Sequence, residues 1–148
     1  MVETLFIELV RSFVYDRFAL DPVSATVAGV HTHDHELGDL SEQGFGERRA
    51  FAEEWLARFL DTTEGLTPAQ EIDRDLIVAD LRGEVALHDF ERWRRDPGVY
   101  SGVVTRGAYY GILREYSQME ERLALLAERL QQAPAVLEAA RANLDPAR

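Results

Sequence analysis

The sequence predicts an all-α fold: one helical domain of six to seven helices, bundle-like, spanning residues 1–148. Apolar residues recur at steps of three and four through most of the chain, and no stretch of useful length alternates as a strand does. N-capping side chains stand directly ahead of those runs, at Asp21, Ser41 and Thr67. The longest run, Thr67 to Arg95, is the expected centre of the domain. No internal repeat or low-complexity segment interrupts the pattern.

In chain order, Val2, Leu5, Phe6, Leu9 and Phe13 share one face of a first helix ending near Ala19, and Ile7, Val14 and Phe18 widen that face. Asp21-Pro22 stops it and opens a short second helix to about Gly29, with Asp21 as N-cap and Pro22 in the first position. Its small residues, Ala25 and Ala28, suit close packing. Residues 30–40 show no period and hold three of the four histidines, which makes them a long loop. Ser41 caps a third helix to about Leu60, striped by Phe45, Ala52, Trp55, Leu56 and Phe59, with Gly44 and Gly46 weakening its first turn.

Thr62 to Leu66 is a polar turn into the central helix. Thr67, Pro68 and Gln70 form a capping box with proline at the first position. Ile72, Leu76, Ala79, Gly83, Ala86, Phe90 and Trp93 line one face, and Ile77, Leu81 and Val85 a second. A helix apolar on two sides is expected to be covered on two sides. Arg92, Arg94 and Arg95 then favour its carboxyl end, and Asp96-Pro97-Gly98 stops it.

Helix is next expected from about Ser101 to Glu115, with Gly107 and Gly111 sharing a face that admits a close neighbour. Ser117 is the expected cap of a following helix striped by Met119, Leu123, Leu126 and Leu130. Pro134 opens a last helix through Leu137, Ala140 and Leu144, which Asp145-Pro146 ends.

Composition narrows the functional classes. Of the residues, 46% are hydrophobic and 29% charged, as in an ordinary globular protein. A net charge of −11 disfavours nucleic acid and anionic membrane as partners. All sixteen basic residues are arginine, and there is no cysteine, which removes disulfides, thiolate catalysis and cysteine metal sites. No run reaches the ~20 apolar residues of a membrane span. Glu3, Glu8 and Arg11 interrupt the first apolar run, so no signal peptide is expected and the compartment is expected to be the cytoplasm.

Candidate chemistry is sparse. His31, His33 and His35 alternate, and alternate residues share a side only on an extended backbone, where they would suit zinc. The string falls one residue short of the His-x-His-x-Asp-His pattern of metallo-β-lactamase-type hydrolases, and a helix precedes it where those have a strand. A polar loop with one histidine tucked inward is the plainer reading. His35-Glu36 opens like a zincin motif, but Asp39 stands where its second histidine belongs and Gly38 breaks the required helix. Glu84 and His88 are four apart, not the three of a di-metal bundle, and Asp73, Asp80 and Glu91 with them read as a solvated face. Tyr100, Tyr109 and Tyr110 read as core more readily than as cleft. There is no phosphate loop and no nucleophile elbow.

Several segments in order nonetheless carry a resemblance. They are Pro22-Val-Ser-Ala-Thr-Val-Ala-Gly-Val-His31, Asp34 through Ser41, Trp93-Arg-Arg-Asp-Pro-Gly-Val-Tyr100, and Glu121-Arg-Leu123 through Leu130, Pro134, Leu137 and Ala142-Asn-Leu144. Together they resemble the start of the bacterial family catalogued as domain of unknown function 885. The resemblance implies a helical zinc-peptidase-like or related hydrolase, several times longer, whose His-Glu…Gly-His-His metal motif lies downstream of this region. No residue of that motif falls on this chain, so no catalytic, cofactor-binding or metal residue is assigned, and zinc is implied only for the full-length family. Arg48, His31 and Asp34 match family positions with no role attached. The chain is thus expected to be an N-terminal piece, inactive alone. An exposed apolar patch larger than a typical monomer carries is expected with it, met by the missing C-terminal part or by self-association. The alternative is a self-standing helical module that dimerises or binds a partner helix.

Overall fold

Asp21, Ser41 and Thr67 all act as the caps the sequence predicts. In the computed structural model the Asp21 side chain accepts from Ser24 N, Ser41 from Gly44 N, and Thr67 forms a full capping box with Gln70. They open α2 (Pro22–Ala28), α3 (Glu42–Asp61) and α4 (Pro68–Asp89), which follow α1 (Val2–Leu20). The single turn α5 (Arg92–Arg95) leads to α6 (Gly98–Leu113), α7 (Met119–Leu130) and α8 (Ala133–Asn143). The structure describes residues 2–145, with side chains from Leu5 onward; the Val2 side chain and Pro146 lie outside the described residues. Among the described residues there is no strand, and the fold is an all-α single domain.

Two cores hold it. The first joins α1, α3 and α4 around an aromatic group: the Phe13 ring lies 5.5 Å from Trp55, 5.4 Å from Phe59 and 5.9 Å from Phe51. Such ring pairs add about 0.5–1.5 kcal/mol each beyond the area they bury. The second joins α2, the 37–40 segment and the start of α3 to α5, α6 and α8, with Phe45 stacked on Trp93 and Tyr100 among its buried side chains. The stripe read on α3 serves both: Phe45 enters the second core, Ala52, Trp55 and Phe59 the first.

The central helix departs from expectation twice. It ends at Asp89, because Glu91 takes a left-handed φ of 53° and breaks the axis. Trp93 is thereby turned away from the α4 stripe into the second core, where its carbonyl accepts from Tyr100 Oη at 2.7 Å. α4 is also covered on one side, not two. α3 and the aromatic core take Val78 and Leu81, with Ile77 and Val85 beside them. The longer stripe faces out, with Ile72 70%, Leu76 68% and Phe90 59% exposed.

α7 is turned from its expected face as well. Leu126 is buried, but Met119, Leu123 and Leu130 are exposed, while Arg122 and Arg129 point inward. Its cap residue is Gln118; the Ser117 hydroxyl is buried and unbonded. On α8, Val136, Ala140 and Asn143 face inward and Leu137 is exposed. α6 begins three residues earlier than expected, at Gly98. Gly107 and Gly111 do share its buried face, and α7 lies against them. A Cβ on Gly107 would sit 3.2 Å from Arg129 Cδ.

Candidate functional site

The 30–40 loop is built around one buried carboxylate. Thr32 to His35 form a turn, with Glu36 N donating to His33 O at 3.0 Å, so the three loop histidines do not share a side as they would on an extended backbone. Asp34, 3% exposed, accepts from Thr26 Oγ1 at 2.6 Å and meets His31 Nδ1 at 2.9 Å. The Tyr116 ring stacks on His31 at 3.4 Å, beside the same carboxylate. Arg129, 1% exposed, completes the group. It donates to Thr26 Oγ1 at 2.8 Å, to His33 O at 3.0 Å and to Gly107 O at 3.2 Å, and lies 3.8 Å from Asp34.

Burial lowers the Arg129 pKa while Asp34 raises it, and guanidinium stays charged. Burial, and then the Asp34 carboxylate, push Tyr116 up to about 12. The tucked-in histidine of the plainer reading is thus His31, half-buried and held by Asp34. Chemically this is a clasp. The Thr26 hydroxyl donates to Asp34 and the His31 ring meets the same carboxylate, so Asp34 joins the two.

The group does not fit zinc. His31 turns to Asp34, while His33 and His35 both turn to Glu36, at 3.5 and 3.1 Å. Among the described residues no three His, Cys, Asp or Glu side chains converge as a metal would require.

A groove of about 250 Å³ opens between the α1–α2 junction, α3, α4 and α5. Its apolar walls include Phe45, Phe51, Leu87 and Trp93. Arg17 from α1 holds Glu84 of α4 in an ion pair and Asp80 at 2.6 Å. Arg49 holds Asp89, reaches Glu53 at 2.9 Å, and meets His88 Nδ1 at 3.2 Å. Burial raises the Glu84 pKa, with Arg17 opposing it; burial and then Arg49 lower that of His88. Arg48 donates to Leu20 O, the last carbonyl of α1, at 3.0 Å and sits 5.7 Å over the Phe45 ring. The sequence did not announce this groove, since its parts lie on five separate segments; the Arg48-Arg49 pair on a half-buried helix face was the only local sign.

Among the described residues, eight helical segments around two cores, with a polar clasp and no ligand set for a metal, define an all-α domain. The model of the family described as bacterial protein of unknown function (DUF885) matches residues 22–148, and the chain belongs to that family. It is also similar to the structure described as "a putative lipoprotein of unknown function" from Shewanella oneidensis, with 27% identity and a TM-score of 0.83. The match covers 95% of this chain and 26% of that one, so the chain spans about a quarter of the Shewanella protein. No curated protein matches it. Among the described residues no helix is long and apolar enough to cross a membrane.

Proposed function

We propose that this chain is the N-terminal helical segment of a longer DUF885 protein, a zinc-dependent hydrolase whose metal ligands lie downstream. It forms one wall of the cleft and is not catalytic alone. The observation that carries the reading is the outer face of α4, where Ile72, Leu76 and Phe90 stand 70%, 68% and 59% exposed in one row. An apolar row of that length facing water marks a surface that packs against other polypeptide. The Shewanella protein, about four times as long, supports further polypeptide of the same protein as the occupant.

The test is to extend the reading frame beyond Arg148 and compare the longer product with this chain by hydrogen exchange. Slower exchange over residues 72–90 in the longer product is expected, and Leu76→Glu is expected to abolish that protection while leaving the short chain folded. Unchanged exchange would overturn the reading. So would a short chain that is a stable dimer and becomes monomeric with Leu76→Glu; that result identifies the self-associating module. The cytoplasm is proposed as the compartment, in keeping with a net charge of −11 that disfavours an anionic membrane surface. Recovery of the longer product with membranes, as the description of the Shewanella protein suggests for that protein, would overturn that part alone.

A further inference from the structure

The groove beside α4 holds more than structural ion pairs. Four guanidiniums line it, from Arg17, Arg48, Arg49 and Arg92, against two carboxylates, Asp21 and Glu84. Three of the four are spent in ion pairs: Arg17 on Glu84 and Asp80, Arg49 on Glu53 and Asp89, and Arg92 on Asp96. Asp21 is spent too, as the cap of α2 through Ser24 N and Ser24 Oγ. Arg48 differs. Its one hydrogen bond goes to Leu20 O, and among the described residues it has no carboxylate within 4 Å, the nearest charges, Asp21, Asp39 and Glu84, acting from farther off. Arg48 is half-buried, and a guanidinium with donor N–H groups left over favours a planar, two-oxygen acceptor.

The walls add the second half of the recognition. Phe45, Phe51, Leu87, Trp93 and Val99 are apolar, and Phe45 and Trp93 stack on one another 5.2 Å apart. Trp93, 6% exposed, presents its ring to the groove as part of that apolar wall. A small inorganic anion would satisfy Arg48 but leave those walls unused. A neutral apolar molecule would do the reverse.

We infer that this groove binds a small organic carboxylate with an apolar body, its two oxygens on Arg48 and its body between Phe45, Leu87 and Trp93.

The chain holds two tryptophans, and Trp55 lies in the other core, so two indole N–H signals report site and control separately. Titration of the full chain with 3-phenylpropionate is expected to move the Trp93 indole signal saturably and leave Trp55 in place. The neutral amide of the same acid is expected to bind about tenfold more weakly, as is the acid to Arg48→Gln. Inorganic phosphate is expected to give no saturable shift. Equal binding of acid and amide, or an unaltered midpoint in Arg48→Gln, overturns the inference, and phosphate binding that depends on Arg48 replaces it with an adventitious anion site. Should Arg48→Gln lose its dispersed spectrum, Leu87→Glu serves instead, since Leu87 is 47% exposed and tolerates a charge. A new carboxylate on that wall is expected to weaken 3-phenylpropionate about tenfold as well, and unchanged binding there overturns the inference.

Discussion

Arg129 on α7 and Thr26 on α2 stand 103 residues apart in sequence, and the guanidinium donates to the threonine hydroxyl at 2.8 Å. That hydroxyl in turn donates to Asp34. The 30–40 loop is thereby tied at once to α2 and α7, and through Gly107 O to α6. Gln132 adds a second tie, accepting from Leu37 N at 3.1 Å and donating to His35 O at 2.5 Å. A loop without its own period is held by polar side chains because it offers few apolar ones.

The first expectation follows from that charge pair. Arg129→Met leaves Asp34 buried without its cation, and a buried pair broken on one side costs about 3–5 kcal/mol. Asp34→Asn should also destabilise. The double variant should cost less than the two single costs added, by about 1 kcal/mol or more, because neither charge is then stranded. Urea unfolding followed by circular dichroism measures all three, and simple additivity would show that the two side chains do not act on each other.

Tyr116 should ionise late, and burial pushes Tyr100 up as well. The folded pKa of Tyr116, about 12, stands above the usual 10.0 because burial and the adjacent Asp34 both oppose a phenolate. A pKa raised on folding contributes stability that is fully present below pH 10 and lost as pH rises through about 12. Ultraviolet titration should therefore show a late phenolate step near pH 12 that is lost in Tyr116→Phe, and stability should fall over that window more steeply in the parent than in the variant. A single common midpoint for all tyrosines would contradict the burial of this ring against Asp34.

These features were unevenly legible in the sequence. The caps at Asp21, Ser41 and Thr67 could be read because a capping side chain acts on its own neighbours within three residues. The close approach at Gly107 and Gly111 was legible for a similar reason, as two glycines one turn apart leave a groove whatever fills it. The inward faces of α4 and α7 were not: α4 carries two apolar rows and only its neighbours decide between them, while α7 turns inward a face with two arginines in place of its leucine stripe. On α7 the decision went to Arg122 and Arg129, since the interior there offers carbonyls, from Ile112, Arg114, Gly107 and His33, that leucine cannot use. Of the clasp, His31 was weighed as a zinc ligand or a tucked-in histidine, and Asp34 was noticed as a match to a family pattern; their partners Tyr116 and Arg129 lie more than eighty residues away, beyond any local signal.

Two glycines should respond oppositely to the same substitution. A methyl on Gly107 would meet Arg129 Cδ and Leu37 Cδ2 at 3.2 Å and Val23 Cγ2 at 3.3 Å, all buried side chains with little room to yield. Overpacking of that kind costs about 1–3 kcal/mol, set against about 1 kcal/mol of gained helix propensity, so Gly107→Ala should destabilise on balance. Gly83 on the open side of α4 has nothing within 4 Å, and Gly83→Ala should stabilise by about 0.5–1 kcal/mol. Thermal melts of both variants check the pair, and a stabilised Gly107→Ala would mean that α7 does not seat against α6 as closely as described.

Glu84 gives the clearest pH test in the groove. Burial raises its folded pKa above the usual 4.5, with Arg17 opposing the rise and Asp80 adding to it. Its contribution to stability is therefore present below about pH 4.5 and lost as pH rises through the raised value, so at neutral pH the ionised group weighs against folding. Glu84→Gln should be neutral near pH 4 and stabilising near pH 7. The side chain keeps 36% of its exposure and solvent screens it, so the gain should stay below about 1 kcal/mol. Arg17 retains Asp80 at 2.6 Å and is not stranded by the change. Urea midpoints at the two pH values decide it. A variant less stable at pH 7 than at pH 4, relative to the parent, would show that the Arg17 pair outweighs the burial that opposes it.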